Sequence, residues 1–314
     1  MEKIDDILKG IKSVAMSGHI RPDGDAIGSS LAVYNYIKDN YPDIKADIYL
    51  DEVPDVYAFL PGTDEIKTVR PDGVKYDLFI ALDCGDLGRL GDSAKYFESA
   101  DKTLCVDHHM SNKSFADVNY IFPDASSACQ LVYKLLDETK VTKEIAECLY
   151  TGMVTDSGIF QYSSTTSETM NIAGKLMDTG IDFNDIVDKV WNLKTYAQNR
   201  VLGKCLNDSR LYLDGALIIS YITKDEMKEY GVNHQDFEGI SSQLRNTAGV
   251  KVAAFLSEND DGSFKISLRS NGANVAAIAE NYGGGGHMRA AGATAEGRIE
   301  DIIEELIKNT EKVI

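Results

Sequence analysis

Apolar residues change their period several times along the chain, and the changes mark out elements. Ile4, Ile7, Leu8 and Ile11 recur at helical spacing over residues 2 to 12, which predicts a first amphipathic helix. A short apolar run, Ser13 to Ser17, leads into a polar loop and then a second helical pattern over Ala26 to Asn40, with Ile27, Leu31, Tyr34 and Ile37 on one side. The succession repeats. Ala46 to Leu50 predicts a strand, Leu78 to Leu82 delivers Asp83-Cys84-Gly85-Asp86, and Thr103 to Val106 delivers Asp107-His108-His109. Runs that are apolar at every position suit strands buried on both faces, so the pattern predicts an α/β domain built on a mostly parallel sheet flanked by helices. Ligands gather beyond the carboxyl ends of such strands, and all three polar clusters lie there.

Helical patterns continue over Ser126 to Glu138, Thr142 to Thr155, Ser167 to Thr179 and Asp182 to Trp191, and close a first domain placed at residues 1–190. Thr195 to Leu211 reads as a connecting helix inside a linker at 191–212. A smaller mixed α/β domain is expected at 213–314, with strands at Ala216 to Ile222, Lys251 to Ser257 and Phe264 to Arg269, and helices at His234 to Asn246, at Asn274 to Tyr282 and from Glu300. It carries the run Gly283-Gly284-Gly285-Gly286-His287-Met288-Arg289-Ala290-Ala291-Gly292. Without the Lys-Ser/Thr ending of a P-loop this run is not that motif; it is either a flexible turn or a stretch whose exposed amides let a phosphate or nucleotide approach.

Charge narrows the function. With 50 acidic against 32 basic residues the chain has a formal net charge of −18, which argues against a protein that coats long duplex nucleic acid. A short anionic ligand stays compatible, because bound divalent cations dominate their local field. The 5 cysteines are odd in number and have no C-x-x-C spacing, so neither a disulfide framework nor a zinc knuckle is expected. A charged N-terminus and the lack of any bilayer-length apolar run lead us to expect a cytoplasmic protein with no membrane partner.

The polar clusters have two readings each. His19, Asp23 and Asp25 are separated by Pro22 and Gly24, so they either converge on a cation or form a solvated Pro-Asp-Gly turn. Asp83 at a strand end either bridges cations or caps a helix. Of the adjacent histidines, one can ligate while His109 faces substrate, and Asp156 late in an apolar helix is costly unless it is paired or ligates. Together His19, Asp23, Asp25, Asp83, His108 and Asp156 suffice for two divalent cations if Asp83 is shared. Imidazole and carboxylate without thiolate suit Mn2+ or Mg2+, with Co2+, zinc or iron compatible.

The set His19-x-x-x-Asp23-x-Asp25, Asp83, Asp107-His108-His109 and Asp156, followed by Gly283 to His287 with Ala290-Ala291-Gly292, resembles the DHH phosphoesterase family with its DHHA1 C-terminal domain. Within that family it is most similar to the short bacterial nanoRNase/pAp phosphatases. RecJ exonucleases carry a further nucleic-acid-binding domain, and family II pyrophosphatases resemble only the first domain. The resemblance implies one metal on His19, Asp23 and Asp83 and a second on Asp25, Asp83, His108 and Asp156. It gives His109 contact with the scissile phosphate or the leaving oxygen, and Asp107 the role of fixing a histidine tautomer. Gly284, Gly285, Gly286 and His287, helped by Arg269 and Asn271, would bind the terminal phosphate or base, with Arg245 and Arg289 as weaker candidates. A cleft between the domains would then admit short substrates only. The implied activity is metal-dependent hydrolysis of oligonucleotides of about two to five nucleotides to mononucleotides, and of pAp to AMP. Cyclic di-AMP or linear pApA is the alternative substrate, a catalytically silent nucleotide-binding regulator is a second alternative, and a homodimer is compatible with any of these.

Overall fold

Alternation within the apolar runs decides which side chain serves which face of the sheet. In a computed structural model that describes residues 2–314, β1 (Ser13–Ser17), β2 (Lys45–Ile48), β3 (Leu78–Leu82), β4 (Lys102–Asp107) and β5 (Val118–Ile121) form an all-parallel sheet in the order β2-β1-β3-β4-β5. Val14, Met16, Leu78, Ile80, Leu82, Leu104 and Val106 enter the main core on one face. Ala15, Phe79, Ala81 and Cys105 pack on the other with Tyr49, Tyr76, Tyr96 and Phe97. This is the doubly covered sheet expected from the continuous apolar runs.

Helices fill both layers. The first, α1 (Ile4–Ile7), is a single turn, because the chain reverses at Gly10 (φ +80°). It is followed by α2 (Gly24–Asn40), α3 (Ala94–Ser99), α4 (Ala128–Leu135), α5 (Lys143–Asp156), α6 (Ser167–Asp178) and α7 (Phe183–Val187). Helices α2 and α5 cross unusually closely. A Cβ on Gly28 would lie 2.4 Å from the Cys148 carbonyl oxygen, one on Gly24 2.4 Å from Thr155 Oγ1, and one on Gly152 2.9 Å from Asp25 Oδ1 and 2.3 Å from Cys129 Sγ of α4. Glycine is therefore required at this crossing, which sets the first turn of α2 beside the last turn of α5.

The chain divides into two compact units, Met1–Leu193 and Lys194–Ile314. The helix expected as a connector, α8 (Tyr196–Asn207), instead packs Val201 and Cys205 into the second unit's core. A six-stranded mixed sheet follows, built from β6 (Arg210–Tyr212), β7 (Leu217–Ile222), β8 (Val252–Glu258), β9 (Phe264–Ser270), β10 (Gly285–His287) and β11 (Ala290–Ala295) in the order β10-β11-β9-β8-β7-β6. Only β7 and β8 pair in parallel. Also in this unit are α9 (Lys224–Tyr230), α10 (Ile240–Arg245), α11 (Val275–Glu280) and α12 (Ile299–Glu311). The helical pattern from His234 is broken at Gly239 (φ +87°), so only its second half becomes α10. The glycine run is not a flexible turn. Its Gly285–His287 segment is an edge strand, and Gly284 and Gly286 fit because a Cβ would meet the Gly292 and Ala290 carbonyl oxygens at 2.2 and 2.6 Å.

Candidate functional site

Three strand ends of the first unit deliver the side chains. His19 follows β1, Asp83 follows β3, and His108 and His109 follow β4. Asp83 sits at φ +51°, a left-handed conformation that is rare for a residue with a side chain and is found at functional sites. Asp23 satisfies both readings of its turn at once. Its Oδ1 caps α2 by accepting from the Asp25 and Ala26 amides at 3.0 and 3.2 Å, while its Oδ2 lies 3.5 Å from His19 Nε2. Asp25, in the first turn of α2, is buried and accepts from the Ala128 and Cys129 amides at 2.6 and 2.9 Å, where α4 begins.

Two triads result, joined by one carboxylate. Asp83 Oδ2 is 3.5 Å from His19 Nε2, and Asp83 Oδ1 is 3.5 Å from His108 Nε2. His108 Nε2 is also 3.8 Å from Asp25 Oδ2 and 3.3 Å from Asp156 Oδ2. These separations are mostly too long for good hydrogen bonds. They are close to the roughly 3.0 to 3.4 Å that separates neighbouring ligands bound about 2.1 Å from one cation. Asp83 Oδ1 is buried and has no hydrogen-bond partner, an orphan that a cation would satisfy. His19, Asp23 and Asp83 form one group able to hold a metal, Asp25, His108 and Asp156 another, and Asp83, His108 and His109 a third that overlaps both. The residues present therefore fit divalent cations.

Electrostatics say the same. Burial disfavours a charged His19, yet the carboxylates of Asp23 and Asp83 outweigh it and raise its pKa to about 10. His108 is likewise opposed by burial and raised to about 10 by Asp83, Asp25 and Asp156. Burial, with Asp83 and Asp23 nearby, lifts Asp156 to about 6 despite His108, and burial with Asp83 and Asp156 pushes Asp25 well above the usual range. Without metal, protonated imidazoles neutralise a crowd of buried carboxylates.

His109 adjoins this cluster, its Nδ1 lying 3.6 Å from Asp83 Oδ1, but its firm partner is another carboxylate. Its Nδ1 is 2.7 Å from Asp107 Oδ1, a hydrogen bond that, as its largest cause, raises the imidazole pKa. Asp107 is fully buried, and its other oxygen accepts from Asn112 Nδ2 at 2.7 Å. That amide also donates to the Cys84 carbonyl at 3.0 Å, tying the dyad to the loop that carries Asp83. Asn112 is a residue sequence reasoning missed; it lies 3 residues past His109 in a polar loop, and nothing in its type or spacing marks it. Immediately after Asp156, Gly158, Ile159 and Phe160 run left-handed at φ +58°, +54° and +59°. Each non-glycine residue there costs about 1–2 kcal/mol.

The residues expected to bind substrate lie in the second unit. Arg269 on β9 pairs with Ala290, which pairs with His287, so all three share one row on the same sheet face. Arg269 Nη1 donates to the Leu268 carbonyl at 3.0 Å, and His287 is exposed. Asn271 has a structural task, since its side-chain amide donates to the Arg245 and Val250 carbonyls at 3.1 and 3.0 Å. Arg245 is half-buried, with Nη2 donating to Asn246 at 3.0 Å and Nε left without a partner. Gly284, Gly285 and Gly286 lie on or beside the edge strand described above.

The chain is similar to known proteins along most of its length. The DHH family N-terminal domain matches residues 13–153, and the DHHA1 domain matches residues 214–314. The chain is 30% identical over 306 residues to the bifunctional oligoribonuclease and PAP phosphatase NrnA of Thermus thermophilus, covering 95% of this chain and 89% of that one. Identity to the protein of the same name from Bacillus subtilis is 27% over 288 residues, covering 90% and 89%. The crystal structure of an exopolyphosphatase-related protein from Bacteroides fragilis superposes with a TM-score of 0.87 at 29% identity, covering 98% of this chain and 94% of that one. Among the described residues no helix is long and apolar enough to cross a membrane.

Proposed function

Because the chain belongs to the DHH family and carries a DHHA1 domain, we propose that it is a phosphodiesterase that hydrolyses short oligoribonucleotides to mononucleotides and pAp to AMP. The observation that carries this reading is the pair of ligand triads joined through Asp83, whose Oδ1 is buried without a partner, beside the His109–Asp107 dyad. The curated relatives reported above are named for these two activities.

In this reading His19, Asp23 and Asp83 hold one divalent cation, and Asp25, Asp83, His108 and Asp156 hold the other. Manganese suits a set of imidazoles and carboxylates without thiolate. When bound, the cations supply Lewis acidity and an activated water for in-line attack on phosphorus. The chain's own contribution is positional. Amides at the start of α4 fix Asp25, the cap fixes Asp23, and the strand end fixes Asp83. His109 holds a proton through Asp107 and donates it from Nε2 to the leaving ribose oxygen. In the second unit, Arg269 and His287 bind the substrate's terminal phosphate or base, with the amides of Gly284 to Gly286 alongside; Arg245 and Asn271 shape the neighbouring backbone.

The test is a product assay with Mn2+ on pAp, pApA, RNA of two to twenty-four nucleotides, cyclic di-AMP and pyrophosphate. AMP from pApA and pAp, with rates falling as RNA lengthens, is expected. Hydrolysis of pyrophosphate alone would overturn the substrate class, and preference for the intact cyclic dinucleotide would reassign the substrate. Nucleotide binding without turnover in any divalent metal would restore the regulator.

A further inference from the structure

Tyr162 is the feature of the first unit that the hydrolytic chemistry does not use. It lies 6 residues past Asp156, on the turn in which Gly158, Ile159 and Phe160 are all left-handed. That turn is rigid. Ile159 N donates to the Val154 carbonyl at 2.9 Å, Phe160 N to Ser157 Oγ at 2.9 Å, and Tyr162 N to the Ser157 carbonyl at 3.0 Å. Phe160 turns inward, its ring edge-on to Tyr150 with centroids 5.9 Å apart. Tyr162 does not. It remains 49% exposed, and no side-chain hydrogen bond holds its hydroxyl among the described residues.

What positions the ring is Gly158. A Cβ there would lie 2.4 Å from Tyr162 Cζ and 2.5 and 2.8 Å from Cε1 and Cε2. The three nearest atoms are ring carbons on both sides of Cζ, so the glycine backbone lies over one face of the ring. A larger residue at 158 would displace it. The result is an aromatic plane with one face seated on backbone and with much of its surface open to solvent, on a strained turn that directly follows a metal ligand. Strain of this kind persists where function needs the conformation, and a half-exposed aromatic ring on a loop adjoining a phosphodiester site is the means by which proteins seat a nucleobase without reading its sequence.

We propose that Tyr162 is a stacking platform for a nucleobase that flanks the scissile phosphate. The proposal deepens the oligonucleotide reading and rests on it. It makes the site select nucleotides over base-free phosphodiesters while tolerating any base, since every base has a π-face. The test compares pApA with the same dinucleotide backbone lacking both bases, on the Mn2+-loaded protein. Tyr162→Ala is expected to raise KM for pApA roughly 5- to 150-fold and to leave KM for the base-free backbone unchanged. Tyr162→Phe should restore the wild-type KM, and Tyr162→Leu, which keeps apolar contact with Gly158, should not. An unchanged KM for pApA in Tyr162→Ala, or an equal rise for both substrates, would overturn the platform. Wild-type protein that turned over neither substrate would instead overturn the phosphodiesterase reading, and the platform with it.

Discussion

Asp83 offers one oxygen to each triad, so a single substitution reaches both. Asp83→Ala is expected to abolish turnover and to weaken binding of both cations, measured by Mn2+ titration; near-normal activity would remove the shared-ligand arrangement. The raised histidines give a pH dependence with a definite sign. His19 and His108 move from 6.5 to about 10, so the stability they give the metal-free chain is complete below pH 6.5 and is lost as pH rises towards 10. A cation must displace the same protons, so Mn2+ affinity should rise across that window while the melting temperature of the metal-free protein falls. Calorimetry at pH 6.5 and 9 checks both, and a pH-independent affinity would contradict the assignment. Asn112→Ala should loosen Asp107 and His109, costing about 10- to 100-fold in kcat where the leaving group is a ribose hydroxyl. With a p-nitrophenyl ester, which needs no proton, the loss should be small; equal losses would make Asn112 merely structural. At this scale the sequence was most legible where chemistry is unusual. Imidazoles and carboxylates at strand ends stand out by type and spacing. Asn112 does not, because an asparagine in a polar loop looks like any turn residue until its amide is seen on Asp107.

Elements set where these residues stand, and in the first unit the crossing of α2 and α5 leaves the least room. Gly28→Ala would drive a methyl against the Cys148 carbonyl, a backbone atom that cannot rotate away. We expect a loss of about 1–3 kcal/mol by overpacking, with a larger fall in Mn2+ affinity than a stability loss alone would cause, because Asp25 and Asp156 move apart. Denaturation and metal titration of the same variant separate the two, and an unaffected metal affinity would show the helices to be mere packing. The parallel strands β1, β3 and β4 were readable because both faces are buried and a continuous apolar stretch runs through the middle of each. Strand β5 was not, since Val118, Asn119, Tyr120 and Ile121 are only half-buried and lack a run. Gly239 split one expected helix, and the glycine run became an edge strand because a neighbouring strand supplies the hydrogen bonds that glycine cannot encode locally.

At the scale of the whole molecule, a chain of net charge −18 handles an anionic substrate. In the proposed reading the cation centre and side chains such as Arg269 supply the positive charge that meets it. His287→Ala should raise KM for 5′-phosphorylated dinucleotides by about tenfold, as expected for a lost hydrogen bond to a charged phosphate, and leave a small chromogenic ester nearly untouched. Equal effects on both would take His287 out of substrate recognition. The two-domain order could be read from the change of pattern near Gly215, whereas the membership of α8 could not, because burial of Val201 and Cys205 depends on strands that come later in the chain. The central claim, a phosphodiesterase needing two cations joined by Asp83, is tested most directly by following AMP release from pApA as Mn2+ is added to the metal-free chain. Activity that reaches its plateau at two equivalents per chain is the predicted result; a plateau at one equivalent, or no AMP at any, would contradict it.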